Sequence, residues 1–300
     1  MNVKDRIKNF IERLLLKQTL VLQYCVRAEK LKREAVRAVN MGVSQDKFIE
    51  NEVVVSLTTY GKRLNDVYLA IESIMQQTYK PNRIILWLQD NMDSIELPYT
   101  LKCQQKRGLE VKYTQDIRSY KKLLPTLKLC PESVIITIDD DVIYEIDTIE
   151  RLIKAYKKDQ HYIYGCRIKK IELNKQGKVK PYSSWNPVKY GSRISNLNIC
   201  IGVGGVLYPP HCFTKEVFNE EVFGKLCPHA DDLWFWLMAK INGYKSAKVI
   251  THYESGDDHI PIPCSQEITL RRNNLGKGEN DKQFEAIISH YDAYRFLKDE

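Results

Sequence analysis

Three carboxylates, Asp139-Asp140-Asp141, close a run of apolar and β-branched residues, Val134-Ile135-Ile136-Thr137-Ile138. The run reads as a short strand buried on both faces, the pattern of a mostly parallel sheet. Open α/β sheets bind ligands in the crevice beyond the carboxyl ends of their strands. Adjacent carboxylates placed there repel one another, and a hard divalent cation, Mg²⁺ or Mn²⁺, between them and a phosphate relieves the repulsion. The competing reading is an acidic turn with its charges in water. A second pair, Asp231-Asp232, stands in the first turn of the apolar stretch Leu233-Trp234-Phe235-Trp236-Leu237-Met238-Ala239. Carboxylates there either compensate the helix dipole or act as a general base beside a substrate. Position alone does not choose between them.

The elements that must hold these residues alternate. Val53 to Thr59 reads as the first strand, followed by the loop Tyr60-Gly61-Lys62-Arg63. Val67, Ala70, Ile71, Ile74 and Met75 fall at helical spacing. Arg83 to Leu88 is a second buried strand ending in the polar Gln89-Asp90-Asn91, Leu109 to Tyr113 a third, and Ser119 to Leu129 a short Lys-rich helix. Beyond Asp141 the pattern predicts a helix over 147–158, a strand over 161–168, a polar loop or hairpin over 169–193 and a strand over 199–210. Gly202, Gly204 and Gly205 interrupt that last strand. Glycines at this density let a ligand approach the backbone, although they do not form a dinucleotide fingerprint. A short strand over 248–253 ends in His252, an irregular stretch covers 254–274, and a helix covers 279–297. Strand-helix alternation of this kind implies a doubly wound, mostly parallel sheet flanked by helices.

Residues 1–50 differ from the rest. Ile7, Phe10, Ile11, Leu14 and Leu15 share a helical face ringed by Lys4, Arg6, Lys8, Arg13 and Lys17, and a second basic helical stretch runs over 20–39. Eleven Lys and Arg stand against six Asp and Glu in this segment. Such a basic amphipathic extension either lies on an anionic membrane surface or packs on the 51–300 domain or a second subunit. Across 300 residues, an apolar fraction of 43% supports a sizeable core and argues against disorder as the main state. The net charge of +8 suits an anionic ligand or surface. No nucleic-acid recognition motif is visible, so no nucleic-acid partner is expected. The eight cysteines contain no Cys-x-x-Cys pair, which argues against a zinc ribbon or redox motif. Reduced thiols, with no cleavable signal peptide or bilayer-length apolar run in view, point to the cytoplasm, with a peripheral position on the inner membrane face open.

In this order the pieces resemble the nucleotide-sugar glycosyltransferases of the GT-A fold, within them the family 2-like enzymes of bacterial surface polysaccharide synthesis. The matching residues are Val53 to Tyr60 with Arg63, then Gln77-Thr78 with Pro81, then Ile84 to Leu88, and Ile136 to Asp141 as the Asp-x-Asp motif. Gly202 to Pro209, His229-Ala230-Asp231-Asp232 and Asn280-Asp281 complete the set, which spans roughly 52–297 and leaves 1–50 unexplained.

The resemblance implies a transferase. It would move a sugar from a nucleoside-diphosphate sugar to a hydroxyl of a saccharide or lipid-linked acceptor, with inversion and with Mn²⁺ or Mg²⁺ on the leaving diphosphate. By position in the motif, Asp141 holds the metal, Asp139 faces the nucleoside ribose and also reaches the metal, and Asp140 lies in the same donor site because a triple Asp permits another register. Thr58, Thr59, Tyr60 and Arg63 line the nucleotide, Asp90 reaches the base, Lys121 or Lys122 contacts phosphate, and Gly204 and Gly205 admit the donor. Asp232, with Asp231 as the alternative, is the base. His252 is a candidate third metal ligand, because imidazole suits Mn²⁺ better than Mg²⁺. Trp234 and Trp236 either stack on a sugar or fill the core. Two other readings are a sugar-nucleotide-forming nucleotidyltransferase, for which the loop after the first strand is a poor match, and a non-catalytic basic membrane-surface protein.

Overall fold

A computed structural model describes residues 3–263 and 278–298, with backbone only at 3–17 and 20. The amphipathic side chains of the first helical turns, Cys264 and the stretch 264–274 therefore lie outside the described residues.

The central sheet has seven strands in the order β11-β6-β10-β4-β1-β2-β3. They are β1 (Val53–Thr58), β2 (Arg83–Gln89), β3 (Leu109–Thr114), β4 (Val134–Thr137), β6 (Tyr162–Gly165), β10 (Val206–Tyr208) and β11 (Lys245–Lys248). All pairings are parallel except those of β10 with β4 and β6. The expected doubly wound, mostly parallel sheet is therefore present. Side-chain alternation divides its core. Val53, Val55 and Leu57 of β1 join Ile136 of β4 on one face, packed on α2 (Val67–Met75) and α5 (Thr148–Lys158). On the other face Ile135, Val206 and Tyr208 pack on α7 (Asp231–Ile241) and α8 (Glu279–His290). Trp234 and Trp236 belong to that core, at 0% and 4% exposure, so neither is free to stack on a sugar.

Strand order fixes where a ligand goes. From β1 the chain winds to β2 and β3 on one side, then crosses to β4 on the other side of β1. The carboxyl ends of β1 and β4 are thus a topological switch point, which opens a crevice. The loop at 59–63 and the triplet at 139–141 leave the sheet there.

The chain departs from the sequence expectations in four places. The N-terminal helical stretches are one helix, α1 (Val3–Arg37), roughly 52 Å long at 1.5 Å per residue. No Pro or Gly stands between the two stretches to break it. After the triplet the chain turns back as β5 (Val142–Tyr144), which pairs antiparallel with β12 (His259–Pro261), a partner too distant for any local pattern to show. The last strand of the sheet stops at Lys248 and does not continue to residue 253. Asp258 accepts from the backbone N–H groups of His252 (2.6 Å) and Tyr253 (2.8 Å), and those donors are lost to any strand ladder. In the polar stretch expected as a loop or hairpin, β7 (Ile168–Lys170) and β8 (Asn186–Pro187) pair antiparallel, and β9 (Asn198–Cys200), from the start of the expected 199–210 strand, joins them in a separate sheet while β10 goes to the central one.

Leu31 and Ala35 of α1 are buried beside Tyr24 and Ala28, a helical stripe against Leu69, Ile143 and Ile260. Arg107 ties the end of this segment to the domain. Its guanidinium donates to the Asn40 carbonyl (2.8 Å) and pairs with the fully buried Glu72 (2.8 Å). Arg107→Ala leaves that carboxylate buried without its cation, which costs about 3–5 kcal/mol. Chemical denaturation should show the loss as a lower midpoint.

Candidate active site

A cavity of about 710 Å³ opens at the switch point, within the range of ligand sites. The triplet forms one wall, and its three members face different partners. Asp140 is buried and accepts from the Thr59 hydroxyl (2.6 Å) and the Arg63 guanidinium (2.7 Å). Burial raises its pKa, and Arg63 and Thr59 offset only part of that. Asp141 meets Arg63 at 3.3 Å, and Asp139 accepts from Lys122 Nζ at 3.0 Å. The Asp139 backbone N–H donates to the Tyr144 hydroxyl (2.8 Å), which fixes the turn from inside.

The second acid pair begins α7, directly after Ala230, so both carboxylates stand at a helix N-terminus, and both line the same cavity. Lys122 Nζ lies 3.0 Å from Asp231 Oδ2, at ion-pair distance though not in hydrogen-bond alignment. One buried ammonium therefore spans the donor-side Asp139 and the acid pair. Burial opposes that charge, but Asp139, Asp231 and Asp232 outweigh it and hold the Lys122 pKa well above its ordinary value. Asp232 accepts from the Gly202 backbone N–H with both oxygens, each at 3.2 Å. Burial, then the charge of Asp231, pushes its pKa up to about 7, against the pull of Lys122.

The structure brings together Thr58, Thr59, Tyr60, Arg63, Lys121, Lys122, the triplet, Asp231 and Asp232 as residues lining this cavity. Lys121 is paired with Asp116. Asp90 is not in the lining. It is exposed, and its carboxylate accepts from the Asn91 backbone N–H (2.9 Å), while its neighbour Gln89 reaches the cavity. Gly204 and Gly205 are not in the lining either, because their small size serves the chain itself. A Cβ on Gly204 would stand 2.9 Å from the Arg167 backbone N, and Gly205 takes φ +87° at the turn.

Gly202 is the glycine at the centre. A Cβ there would stand 2.7 Å from Lys122 Nζ and 3.1 Å from Asp232 Oδ1. Gly202→Ala therefore wedges apart the ammonium and the carboxylate. Because Lys122 is a flexible chain end, the expected result is a near-normal melting temperature with a large fall in kcat.

His252 lies away from the cavity and faces Asp147 at 3.3 Å. The histidine that β12 carries to the cavity is His259, whose Nδ1 is buried without a hydrogen-bond partner among the described residues. Burial lowers its pKa, so the ring is neutral and can offer a lone pair. Ser119 Oγ and Asn280 Oδ1, both in lining residues, are likewise buried without a partner among the described residues. Buried polar groups are normally paired, and a run of exceptions along one cavity suits a polar ligand. None of Gly202, His259, Ser119 or Asn280 was a site candidate from sequence. Two of them had a signal, Gly202 in its place within a glycine-interrupted strand and Asn280 in the Asn280-Asp281 pair of the resemblance.

Among the described residues no three His, Cys, Asp or Glu side chains converge on a point that would hold a metal. The donor set still suits a Mg²⁺- or Mn²⁺-nucleotide, in which one or two carboxylates and the phosphates share the ion. Asp141 and Asp139 could supply the carboxylates, and His259 Nδ1 is a nitrogen on the same cavity that has no partner among the described residues.

The seven-stranded, mostly parallel sheet, with an acidic triplet at its switch point and a second carboxylate pair lining the same ligand-sized cavity, has the architecture of a GT-A transferase. Residues 55–207, just over half of the chain, match the family model of glycosyl transferase family 2. The chain belongs to that family and is a glycosyltransferase enzyme, which sets aside the nucleotidyltransferase and the non-catalytic readings. No curated protein matches it. Among solved structures it is similar to the mannosyltransferase PcManGT from Pyrobaculum calidifontis in complex with GDP-Man and Mn²⁺, at 15% identity over 80% of this chain and 67% of that one, TM-score 0.42. It is also similar to S. aureus TarS 1-349, at 15% identity over 67% and 58%, TM-score 0.44. A third likeness is to a CMP:2-keto-3-deoxy-manno-octonic acid synthetase complexed with CTP, at 10% identity over 72% and 95%, TM-score 0.38. Likenesses this remote carry no argument about substrate.

Proposed function

We propose that the enzyme moves a sugar from a nucleoside-diphosphate sugar to a hydroxyl of a saccharide or lipid-linked acceptor, with inversion and with a divalent metal, in polysaccharide synthesis. The observation that carries this reading is the convergence of two acidic groups, one following β4 and one opening α7, on the single ammonium of Lys122 in one cavity. An inverting displacement needs charge relief at the leaving group and a base for the attacking hydroxyl, and the two groups divide those tasks.

The wall from Thr58 to Arg63 receives the nucleotide, with Asp139 toward the ribose. Lys122, with Lys121 beside it, offers positive charge to the phosphates. Asp141 and Asp139, with His259 in place of His252, would hold the metal, which when bound neutralises charge developing on the leaving diphosphate. The acceptor oxygen attacks the anomeric carbon as its proton passes to Asp232, and the bond from that carbon to the diphosphate breaks. Asp232 suits this work better than Asp231. Its raised pKa makes it the stronger base near neutral pH, whereas Asp231 has an oxygen engaged by Lys122.

We extend the reading to residues 1–50, as an extension that touches an anionic membrane surface from the cytoplasmic side. Leu22 and Val26 of α1 are two-thirds exposed, with Arg and Lys on the same helix. No helix among the described residues is long and apolar enough to cross a membrane.

A thermal-shift series with nucleoside diphosphates and their sugars, with and without Mn²⁺, tests the proposal. One nucleotide should stabilise the protein by about 2.7 kcal/mol at a hundredfold excess over its Kd, and more strongly with metal. No shift from any nucleoside diphosphate, or a shift indifferent to metal, would count against it.

A further inference from the structure

We infer that the first turn of α8 forms an acceptor subsite in which Asn280 reads a second hydroxyl of the acceptor, so that the hydroxyl under attack belongs to a polyhydroxylated saccharide residue and not to an alcohol with one hydroxyl. This rests on the glycosyltransferase reading of the same cavity and narrows the acceptors which that reading leaves open.

Helical spacing carries an amide to the cavity along an apolar stripe. Phe284, Ile287 and Ile288 are buried on one face of α8, and Asn280 stands one turn above Phe284 on that face. Phe284 is fixed by aromatic neighbours, its ring centre 5.3 Å from that of Trp185 and 5.7 Å from that of Trp236. Where the apolar core ends, the stripe reaches the cavity as Asn280, which is 8% exposed and part of the lining.

Asn280 is not spent on the helix itself. Asparagine at a helix start ordinarily caps it by accepting a backbone N–H. Here the cap position is Gly278, at φ +64°, with no side-chain cap. Asn280 Oδ1 is buried and has no hydrogen-bond partner among the described residues. An amide oxygen left in that state costs free energy, which a bound donor would restore. The torsion that turns a terminal amide is broad, so an arriving hydroxyl can meet either of its polar atoms. The neighbours of Asn280 in the turn are engaged. Asp281 Oδ1 accepts from the Tyr182 backbone N–H (2.6 Å), and Gln283 Oε1 from the His229 backbone N–H (2.8 Å). One helical turn thus sets two other members of the lining, Tyr182 and His229, and presents its amide beside them.

The same turn stands close to the base. Burial, then the charge of Asp232, raises the Tyr182 pKa, with a further push from Asp281. The phenol therefore shares a neighbourhood with Asp232 and with the start of α8. The cations at this end have contacts of their own: Arg167 pairs with Asp257 at 3.1 Å, and Lys169 Nζ lies 4.5 Å above the centre of the Tyr182 ring. Beside the base the wall offers an uncharged amide and a phenol hydroxyl, groups that both donate to and accept from hydroxyls. A site built to hydrogen-bond a hydroxyl rejects the analogue that lacks it, because its own polar group is then left unpaired.

The test uses the full chain with Mn²⁺ and the nucleotide sugar that stabilises it, and reads release of the nucleoside diphosphate. Acceptor probes are the methyl glycosides of the common hexoses and N-acetylhexosamines, with n-octanol as the single-hydroxyl probe. The glycoside with the lowest KM is then compared with its monodeoxy analogues. For the wild type, one analogue that still gives product should show a KM about tenfold higher, near 1.4 kcal/mol. Asn280→Ala should raise the KM of the parent glycoside by about the same factor and treat parent and analogue alike, with the donor KM and the metal-dependent nucleotide shift kept. A purely structural role would move the donor KM and leave the discrimination between parent and analogue in place. Asn280→Ser serves the same comparison if the alanine variant loses the nucleotide shift, and Lys282→Gln, on the exposed side of the helix, should change neither KM. Acceleration by octanol and by none of the glycosides, a wild type indifferent to every deoxy position, or a discrimination that survives Asn280→Ala overturns the inference. Failure of every nucleotide sugar to bind or to release its nucleoside diphosphate overturns the glycosyltransferase reading beneath it.

Discussion

Asp232→Asn is expected to lower kcat by about 10²–10⁴-fold, the usual contribution of a positioned general base, while the protein stays folded and binds nucleotide. The amide keeps the shape of the carboxylate but cannot take the proton of the attacking hydroxyl. The pH profile provides a second reading. Burial and the neighbouring Asp231 push the Asp232 pKa up to about 7 from 3.8. A base must be deprotonated to act, so kcat/KM should rise with pH and level off above about 7, not above 4. Asp231→Asn removes the like charge and should move that limb to lower pH with catalysis largely kept. The reverse pattern, in which Asp231→Asn loses transfer and Asp232→Asn keeps it, would make Asp231 the base.

Stability should move the other way. The folded state holds a proton on Asp232 that the unfolded chain gives up near pH 3.8. Between that pH and about 7 folding therefore becomes progressively less favourable through this one group, and above about 7 the penalty is complete. Asp232→Asn removes the penalty. Its melting temperature at pH 8 should equal or exceed that of the wild type, so that lost activity cannot be attributed to lost fold.

Sheet and acid groups were legible in the sequence for different reasons. A central parallel strand has to be apolar on both faces, and Val53 to Leu57 and Val134 to Ile138 say so without help from the rest of the chain. The acids could be found because a carboxylate run after such a strand has little other use. What the sequence could not show was pairing at a distance. His252 and His259 look alike in a linear reading. They differ because Asp258 binds the backbone at 252–253 and β12 then pairs with β5, across more than a hundred residues. Tyr182 was hidden the same way. A polar stretch beginning at Lys169 reads as a loop, and only the bond from the Tyr182 backbone to Asp281, far along the chain, ties it to the cavity wall. Gly204 and Gly205 were singled out for a ligand's approach, when Gly204 makes room for Arg167 and Gly205 turns the chain.

Asp141→Asn and Asp140→Asn are expected to fail in opposite ways, although the residues are adjacent. The side chains of Asp139 and Asp141 are 28% and 15% exposed, and that of Asp140 only 6%. Asp140 and Asp141 stand in the turn that follows β4, and although all three carboxylates line the cavity, the middle one is the most deeply buried. The middle Asp takes a structural task. Here it anchors the Thr59 hydroxyl and the Arg63 guanidinium, and so positions the loop after β1. Asp140→Asn exchanges two charge-assisted bonds for weaker ones and should cost about 1–3 kcal/mol of stability, with kcat reduced only as far as Arg63 shifts. Asp141→Asn should cost less stability than Asp140→Asn, because its contact with Arg63 is the longer one, 3.3 Å against 2.7 Å. It should lower transfer on the order of 10²–10³-fold, the scale of losing one preorganised electrostatic contact to the transition state. It should also weaken the metal-dependent part of the nucleotide thermal shift. If instead Asp140→Asn abolished that metal-dependent shift and Asp141→Asn kept it, the working register of the triplet would be displaced by one residue, and Arg63 would be a ligand-side residue in place of a loop anchor.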